Sequence, residues 1–286
     1  MGFRTVVVKN RTKLDLRLNY LVSRGEEEVR IFIPEISTLI LESTAISLTT
    51  ALISELMKNN VKIILCDEKH NPESEICAYY GIYNPLPSLL KQIDWDKKIK
   101  ELVWMSIVQE KIRQQKKFLK ELNLIDEYQL LSKYCKEVKQ NDYTNREGHA
   151  AKVYFNALWG VDFCRRKEGY INSALNYGYS VMLACFNRVV VSKGYLTQLG
   201  IWHKNEFNKF NLSCDLMEPF RIIVDRKVFS MEANESNFKS KVLEIFEEKV
   251  IIDKKEQFIE NAIAIYVQSI LDALNKKDLN LIKFYE

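Results

Sequence analysis

The hydrophobic period of the chain changes once, around Pro85 and Pro87, and that change limits the fold more than any other feature. Before it, apolar residues alternate with polar ones at the period-two spacing of half-buried strands; after it, they recur at helical spacing. FRTVVVKN, KLDLRLNYLVS and EEEVRIFIP read as strands, with a turn at Ser23-Arg24-Gly25-Glu26 joining the last two in a hairpin. ISTLILES, VKIILCDE and SEICAYY continue the series. Ser47 stands where an N-cap belongs, ahead of a short amphipathic helix bearing Leu48, Leu52 and Leu56. The expected fold is therefore α+β, with a β-rich, sandwich-like domain over residues 1–88 and an all-α domain over residues 89–286.

Composition narrows the function classes. A chain of 286 residues with 47% hydrophobic content has the material for a large core and is not disordered. Its formal charge of +4 is too small to announce a polyanionic partner, so any basic surface must come from local segregation. The six cysteines form no C-x-x-C pair, and they read as reduced, mostly buried thiols. The first apolar run stops after three valines, too short for a secretory leader, and the longest, residues 177–191, is broken by Asn187 and Arg188. No membrane span is expected, and the reading is a soluble cytoplasmic protein. Glycine-rich nucleotide loops, H-E-x-x-H, zinc-type cysteine spacing and a Ser-His-Asp arrangement are absent from the sequence.

Three helical segments carry polar residues of interest. The helix over about 96–122 bears Lys97, Lys98, Lys100, Lys111, Arg113, Lys116, Lys117 and Lys120, a solvated face or a surface that tracks phosphates. A helix starting at Asn145-Arg146 puts Glu147 on one face with Ala151, Tyr154 and Leu158. That acid either tops a core-facing stripe for a purpose or complements the helix dipole. The segment from Asn172 to Lys193 is apolar on nearly all sides and should be the central helix; its Asn172, Asn176 and Arg188 need partners if buried.

Residues 203–225, HKNEFNKFNLSCDLMEPFRIIVD, gather one of only three histidines with several acids. Asp215 and Glu218 fit a capping box, Asp215 as N-cap and Glu218 as its partner at N3, with Pro219 tolerated in the first turn. The competing reading is a metal site. Glu218, Ile222 and Asp225 lie near one face, His203 approaches from an adjoining loop, and Glu147 arrives from another helix. Carboxylates with a single imidazole suit Mg²⁺ or Mn²⁺ better than zinc, and such an ion polarises a phosphodiester.

Three segments in order, R-E-G-H-A-A-K-V-Y-F at 146–155, N-S-A-L-N-Y-G-Y at 172–179 and N-L-S-C-D-L-M-E-P-F-R at 211–221 with His203 ahead of it, resemble the CRISPR-associated "Cas one" integrase family. The resemblance spans essentially the whole chain, and ILESTAISLTTALISELMKNNVKIILCDEKHNP is similar to the branch found in type II systems. It implies that Glu147, His203 and Glu218 are the catalytic, metal-binding residues for Mg²⁺ or Mn²⁺. Many relatives have aspartate where Glu218 stands, and Asp215 becomes a capping or supporting group behind the ligands. It further implies a homodimer paired through the front domain. Two such dimers would hold a dimer of the small "Cas two" protein and join 3′-hydroxyl ends of short double-stranded DNA to the CRISPR leader–repeat by transesterification. Two other classes stay open: a metal-dependent nuclease on branched or single-stranded DNA that does not integrate, and a non-catalytic DNA-binding scaffold.

Overall fold

Valine-, isoleucine- and leucine-rich segments at the front of the chain form two four-stranded sheets within one unit, Met1–Tyr83, and the remainder, Asn84–Glu286, forms a second. The computed structural model describes residues 4–25, 28–76, 85–232 and 237–286. In one sheet β1 (Arg4–Val8), β5 (Ile36–Leu41) and β7 (Lys62–Cys66) run parallel, and β8 (Pro72–Ile76) lies antiparallel to β7. β5 lies between β1 and β7 and all six of its residues are buried, as in a strand covered on both faces, so the polar-out alternation of an exposed strand is missing from it. Ser37 is accommodated by donating to the Arg4 carbonyl at 3.1 Å.

The other sheet is a meander of β2 (Lys13–Arg17), β3 (Tyr20–Arg24) and β4 (Glu28–Phe32), with β6 (Ser47–Leu48) parallel to β2. KLDLRLNYLVS is thus two strands rather than one. Leu18 and Asn19 both take positive φ, 46° and 65°, the geometry of a two-residue hairpin turn, and a leucine there hides the signal. Helix α1 (Thr50–Lys58) is capped by Thr49, whose hydroxyl accepts from the Leu52 N–H at 3.3 Å. Ser47, expected as the cap, lies in β6 instead. Leu14 and Leu21, Leu39 and Ile63, and Leu52 and Leu56 bring both sheets and α1 into one core. Residues 77–80 of the expected SEICAYY strand lie outside the described residues.

The second unit contains α2 (Leu86–Ile93), α3 (Lys97–Glu121), α4 (Ile125–Glu137), α5 (Arg146–Trp159), α6 (Tyr170–Ser192), α7 (Asn211–Met217), α8 (Arg221–Phe229), α9 (Phe238–Leu243) and α10 (Ile259–Lys276). Strands first and helices after is the expected α+β order. Helix α6 is central and packs against α7, α8, α9 and α10. Its polar residues are partnered: Asn172 donates to the carbonyls of Cys164 and Lys167 at 2.8 and 2.7 Å, Asn176 accepts from Arg165 at 2.7 Å, and Arg188 donates to Glu260 at 2.8 Å. The helical unit also holds a hairpin, β9 (Lys249–Ile252) and β10 (Lys255–Phe258), in a segment whose spacing reads as helix. Asp253 and Lys254, at φ 52° and 63°, make its turn, so backbone geometry overrides the apparent period there. Of the described cysteines only Cys66 and Cys185 are buried, Cys164 is exposed, and no disulfide joins any two of them; Cys77 lies outside the described residues.

Gly178 sets how closely α6 and α8 approach, since an added Cβ would collide with the side chains of Val224 and Val242. Gly178→Ala is expected to destabilise the fold by about 1–3 kcal/mol through overpacking, read as a lower denaturation midpoint with an unchanged m-value.

Candidate metal centre

Helix α3 runs its apolar stripe through Trp104, Ile107 and Phe118, and Lys111 falls on that stripe instead of on the solvent face. Its Nζ donates to Glu147 Oε1 at 2.6 Å and to Glu218 Oε2 at 2.5 Å, with only 13% of the side chain exposed. One ammonium therefore joins two carboxylates from different elements. Glu147 sits in the first turn of α5, and that turn is fixed by Asp142, whose carboxylate accepts from the backbone N–H groups of Arg146 and Glu147, each at 2.9 Å. Glu218 sits where α7 ends in the 3₁₀ turn Glu218–Phe220, ahead of α8.

Glu218 is 6% exposed, and Arg221 Nε binds its other oxygen at 2.9 Å. Burial alone would raise this carboxyl, but the Arg221 guanidinium and the Lys111 ammonium outweigh it and hold the group at about 2. Burial likewise disfavours the charged Lys111, yet the two glutamates overcompensate and keep its proton more firmly than in an ordinary lysine. The Arg221 guanidinium lies over the Tyr179 ring, 4.7 Å from its centroid, and the Tyr179 hydroxyl donates to Asp225. Asp225 is pushed up to about 6, mainly by burial. Arg165 is held by Asn172 and Asn176 and lies 5.3 Å from the Tyr179 centroid. A cavity of about 250 Å³ opens beside Glu218, lined by Lys111, Gln115, Phe155, Arg165, Tyr179 and Arg221 among others.

The histidine is built from the other side of α7. Asp215 is wholly buried inside α7, and its carboxylate accepts from the backbone N–H groups of Ile201 at 2.7 Å and Trp202 at 2.9 Å, and from His203 Nδ1. The capping box expected from Asp215 and Glu218 is thereby overturned: α7 begins at Asn211, five residues earlier than an Asp215 cap would allow, and Asp215 caps a loop instead. Gly200 permits the approach, because a Cβ there would strike the His203 carbonyl and the Asp215 carboxylate. Trp104 and Trp202, stacked 5.0 Å apart, both meet the imidazole edge-on. His203 holds its proton above the usual imidazole range, first because of the Asp215 hydrogen bond, and further through the charges of Asp215, Glu218 and Glu147. With Nδ1 committed to Asp215, Nε2 is the nitrogen left for a ligand. His149, two residues past Glu147, is exposed and 3.4 Å from Arg146.

Among the described residues, no three His, Cys, Asp or Glu side chains close on one point as metal ligands would. What Glu147 and Glu218 converge on is the Lys111 ammonium. Two carboxylates that share one cation, next to an imidazole oriented by a third, nevertheless make a donor set of the kind a hard divalent ion takes. The sequence places Lys111 only among the basic residues of one helix and gives Arg165, Tyr179 and Arg221 no role in the site. A lysine at a core-facing position of α3 was the legible sign. The outer basic face of that helix is less uniform than its sequence suggests, with Lys116 and Lys120 each 5.7 Å from the Tyr128 ring centroid. No helix among the described residues is long and apolar enough to cross a membrane.

A family model described as CRISPR associated protein Cas1 matches residues 5–258. The CRISPR-associated endonuclease Cas1 of Neisseria meningitidis serogroup C (strain 8013) is 32% identical over 232 residues, which are 81% of this chain and 76% of that protein. A solved casposase bound to integration product has a TM-score of 0.77 at 22% identity, covering 97% of this chain and 91% of its own. A partial Cas6-RT-Cas1–Cas2 complex gives a TM-score of 0.66 at 14% identity, over 99% of this chain and 98% of its own. At those identities the two structures speak for the fold.

The His203–Asp215 pair carries a pH signature. Because the folded pKa of His203 is raised above the ordinary 6.5, its contribution to stability is fully present below that value and is lost as pH rises through the folded value. Asp215→Asn is expected to lower the His203 pKa and to flatten this part of the melting temperature–pH profile. Imidazole proton NMR and thermal melts across that interval check both.

Proposed function

The chain belongs to the Cas1 family of CRISPR-associated proteins, and from that premise we propose that it is a metal-dependent DNA integrase and endonuclease of CRISPR adaptation. The observation that carries the reading is the convergence of Glu147 and Glu218 on one cation beside an imidazole braced by Asp215. Glu147, Glu218 and Nε2 of His203 would hold Mg²⁺ or Mn²⁺. When bound, such an ion polarises a phosphodiester and stabilises the charge that develops as one P–O bond forms and another breaks.

The remaining work belongs to the protein. Asp215 fixes the ring orientation of His203, and Arg221 fixes the Glu218 carboxylate while lining the adjoining cavity with Arg165. Guanidinium groups there would meet the oxygens of a phosphate. A 3′-hydroxyl of incoming DNA attacks a phosphodiester at the leader–repeat border, the displaced 3′-oxygen leaves, and the proton lost by one is regained by the other. The number of phosphodiesters is unchanged, so no nucleotide hydrolysis is required. Support for joining rather than simple cutting comes from the shared fold of a casposase described with its integration product. The Neisseria relative is named an endonuclease, and water in place of the hydroxyl would cut at the same site.

The front unit is proposed to pair two copies of the chain, supported by the exposed Val29 and Phe32 of β4 and by Tyr20, whose ring lies 5.2 Å from that of Phe32. The domain roles follow: dimerisation over residues 1–88, catalysis and DNA binding over 89–286. Assembly with a Cas2 dimer is proposed on the strength of the Cas1–Cas2 complex that shares the fold.

Purified chain, the Cas2 partner, a supercoiled CRISPR plasmid and short duplexes ending in 3′-hydroxyl or 3′-deoxy form the test. Joining is expected only with the hydroxyl and a divalent ion. It should vanish in Glu218→Gln and fall roughly 10–100-fold in Asp215→Asn, the usual effect of losing a group that orients a metal ligand. Joining that did not need the hydroxyl would overturn the integrase reading, and full activity in Glu218→Gln would overturn the site.

A further inference from the structure

The metal-site reading above leaves Lys111 without a role, although its ammonium bridges two of the three proposed ligands. Its ammonium binds Glu147 Oε1 and Glu218 Oε2, the oxygens a divalent ion between those residues would take. Magnesium sits about 2.0–2.1 Å from its oxygen ligands. An ammonium hydrogen-bonded to the same oxygens would then face the ion at close range, like charge against like charge, with its hydrogen-bond acceptors already engaged. The two cations cannot share the position.

We propose that Lys111 is a built-in counter-ion of the site: it holds Glu147 and Glu218 together in the metal-free protein and competes with the divalent ion for them. Metal occupancy is then coupled to displacement of the lysine. The fold offers a destination for the displaced ammonium. Lys111 lines the cavity of about 250 Å³ shared with Gln115, Arg165 and Arg221, and the side chain has four rotatable bonds with which to turn into it. There it would add a third positive group where a phosphate is proposed to lie. Arg221 cannot substitute for Lys111, because its guanidinium is committed to the opposite oxygen of Glu218 and to the Tyr179 face.

The competition predicts a gain, which a merely structural lysine would not give. Mn²⁺ is titrated by calorimetry into the full-length metal-free protein, without DNA, for the wild type, Lys111→Met and Lys111→Arg. Lys111→Met is expected to bind Mn²⁺ at least tenfold more tightly than the wild type, and Lys111→Arg, which keeps the charge, no more tightly. Metal-free Lys111→Met should also melt lower than the wild type and gain more on adding Mn²⁺. If Lys111→Met does not fold without metal, Lys111→Gln takes its place in the same comparison. Equal or weaker Mn²⁺ binding by the neutral variant would overturn the competition alone. Absence of Mn²⁺ binding at millimolar concentration in both wild type and variant would overturn it together with the metal reading on which it rests.

Discussion

Two carboxylates brought together away from bulk water cannot both stay ionised unless a cation stands between them, and the helical unit is arranged around that requirement. Lys111 meets it with one ammonium shared by Glu147 and Glu218, and Arg221 adds a second positive group on the far side of Glu218. Each participant is held by something that does not depend on the ion pair. Asp142 pins the first turn of α5, the break between α7 and α8 aims Glu218, and the apolar stripe of α3 buries the lysine stem. Removing one member would leave an uncompensated buried charge, which is why the group behaves as a unit.

His203 is attached to this cluster by a different device. Asp215 binds three backbone N–H groups and an imidazole with one carboxylate, all from the stretch just after Gly200, so the loop and the ring orientation are set by one buried acid. The spacing of three between Asp215 and Glu218 then has a simple consequence. The short helix α7 presents one carboxylate to the histidine loop and the 3₁₀ turn that follows it presents the next to Lys111, so the two arms of the site are fixed relative to each other by three residues of continuous backbone.

Much of this was legible in the sequence. The switch from alternating to helical spacing separated the strands from the helices, and Glu147 betrayed itself by topping an apolar stripe. His203 and Glu218 stood out as a rare histidine and an acid in an apolar setting. The failures have physical causes. Asp215 and Glu218 match a capping box by residue type and spacing, and only the true start of α7 at Asn211 shows that Asp215 lies inside the helix. Lys111 reads as part of a basic face because the other lysines on α3 obscure its position on the buried stripe. The hairpins at Leu18-Asn19 and Asp253-Lys254 lack glycine, and each pairs an Asn or Asp with a residue type that seldom takes positive φ, Leu18 or Lys254, which conceals both turns.

Where a divalent ion sits decides between a metal centre and a purely structural ion pair. Anomalous diffraction from crystals of the protein grown with Mn²⁺ tests this most directly. The predicted result is a peak bounded by Glu147, Glu218 and Nε2 of His203, with the Lys111 ammonium moved out from between the two carboxylates. A peak elsewhere, with Lys111 still bridging Glu147 and Glu218, would contradict it.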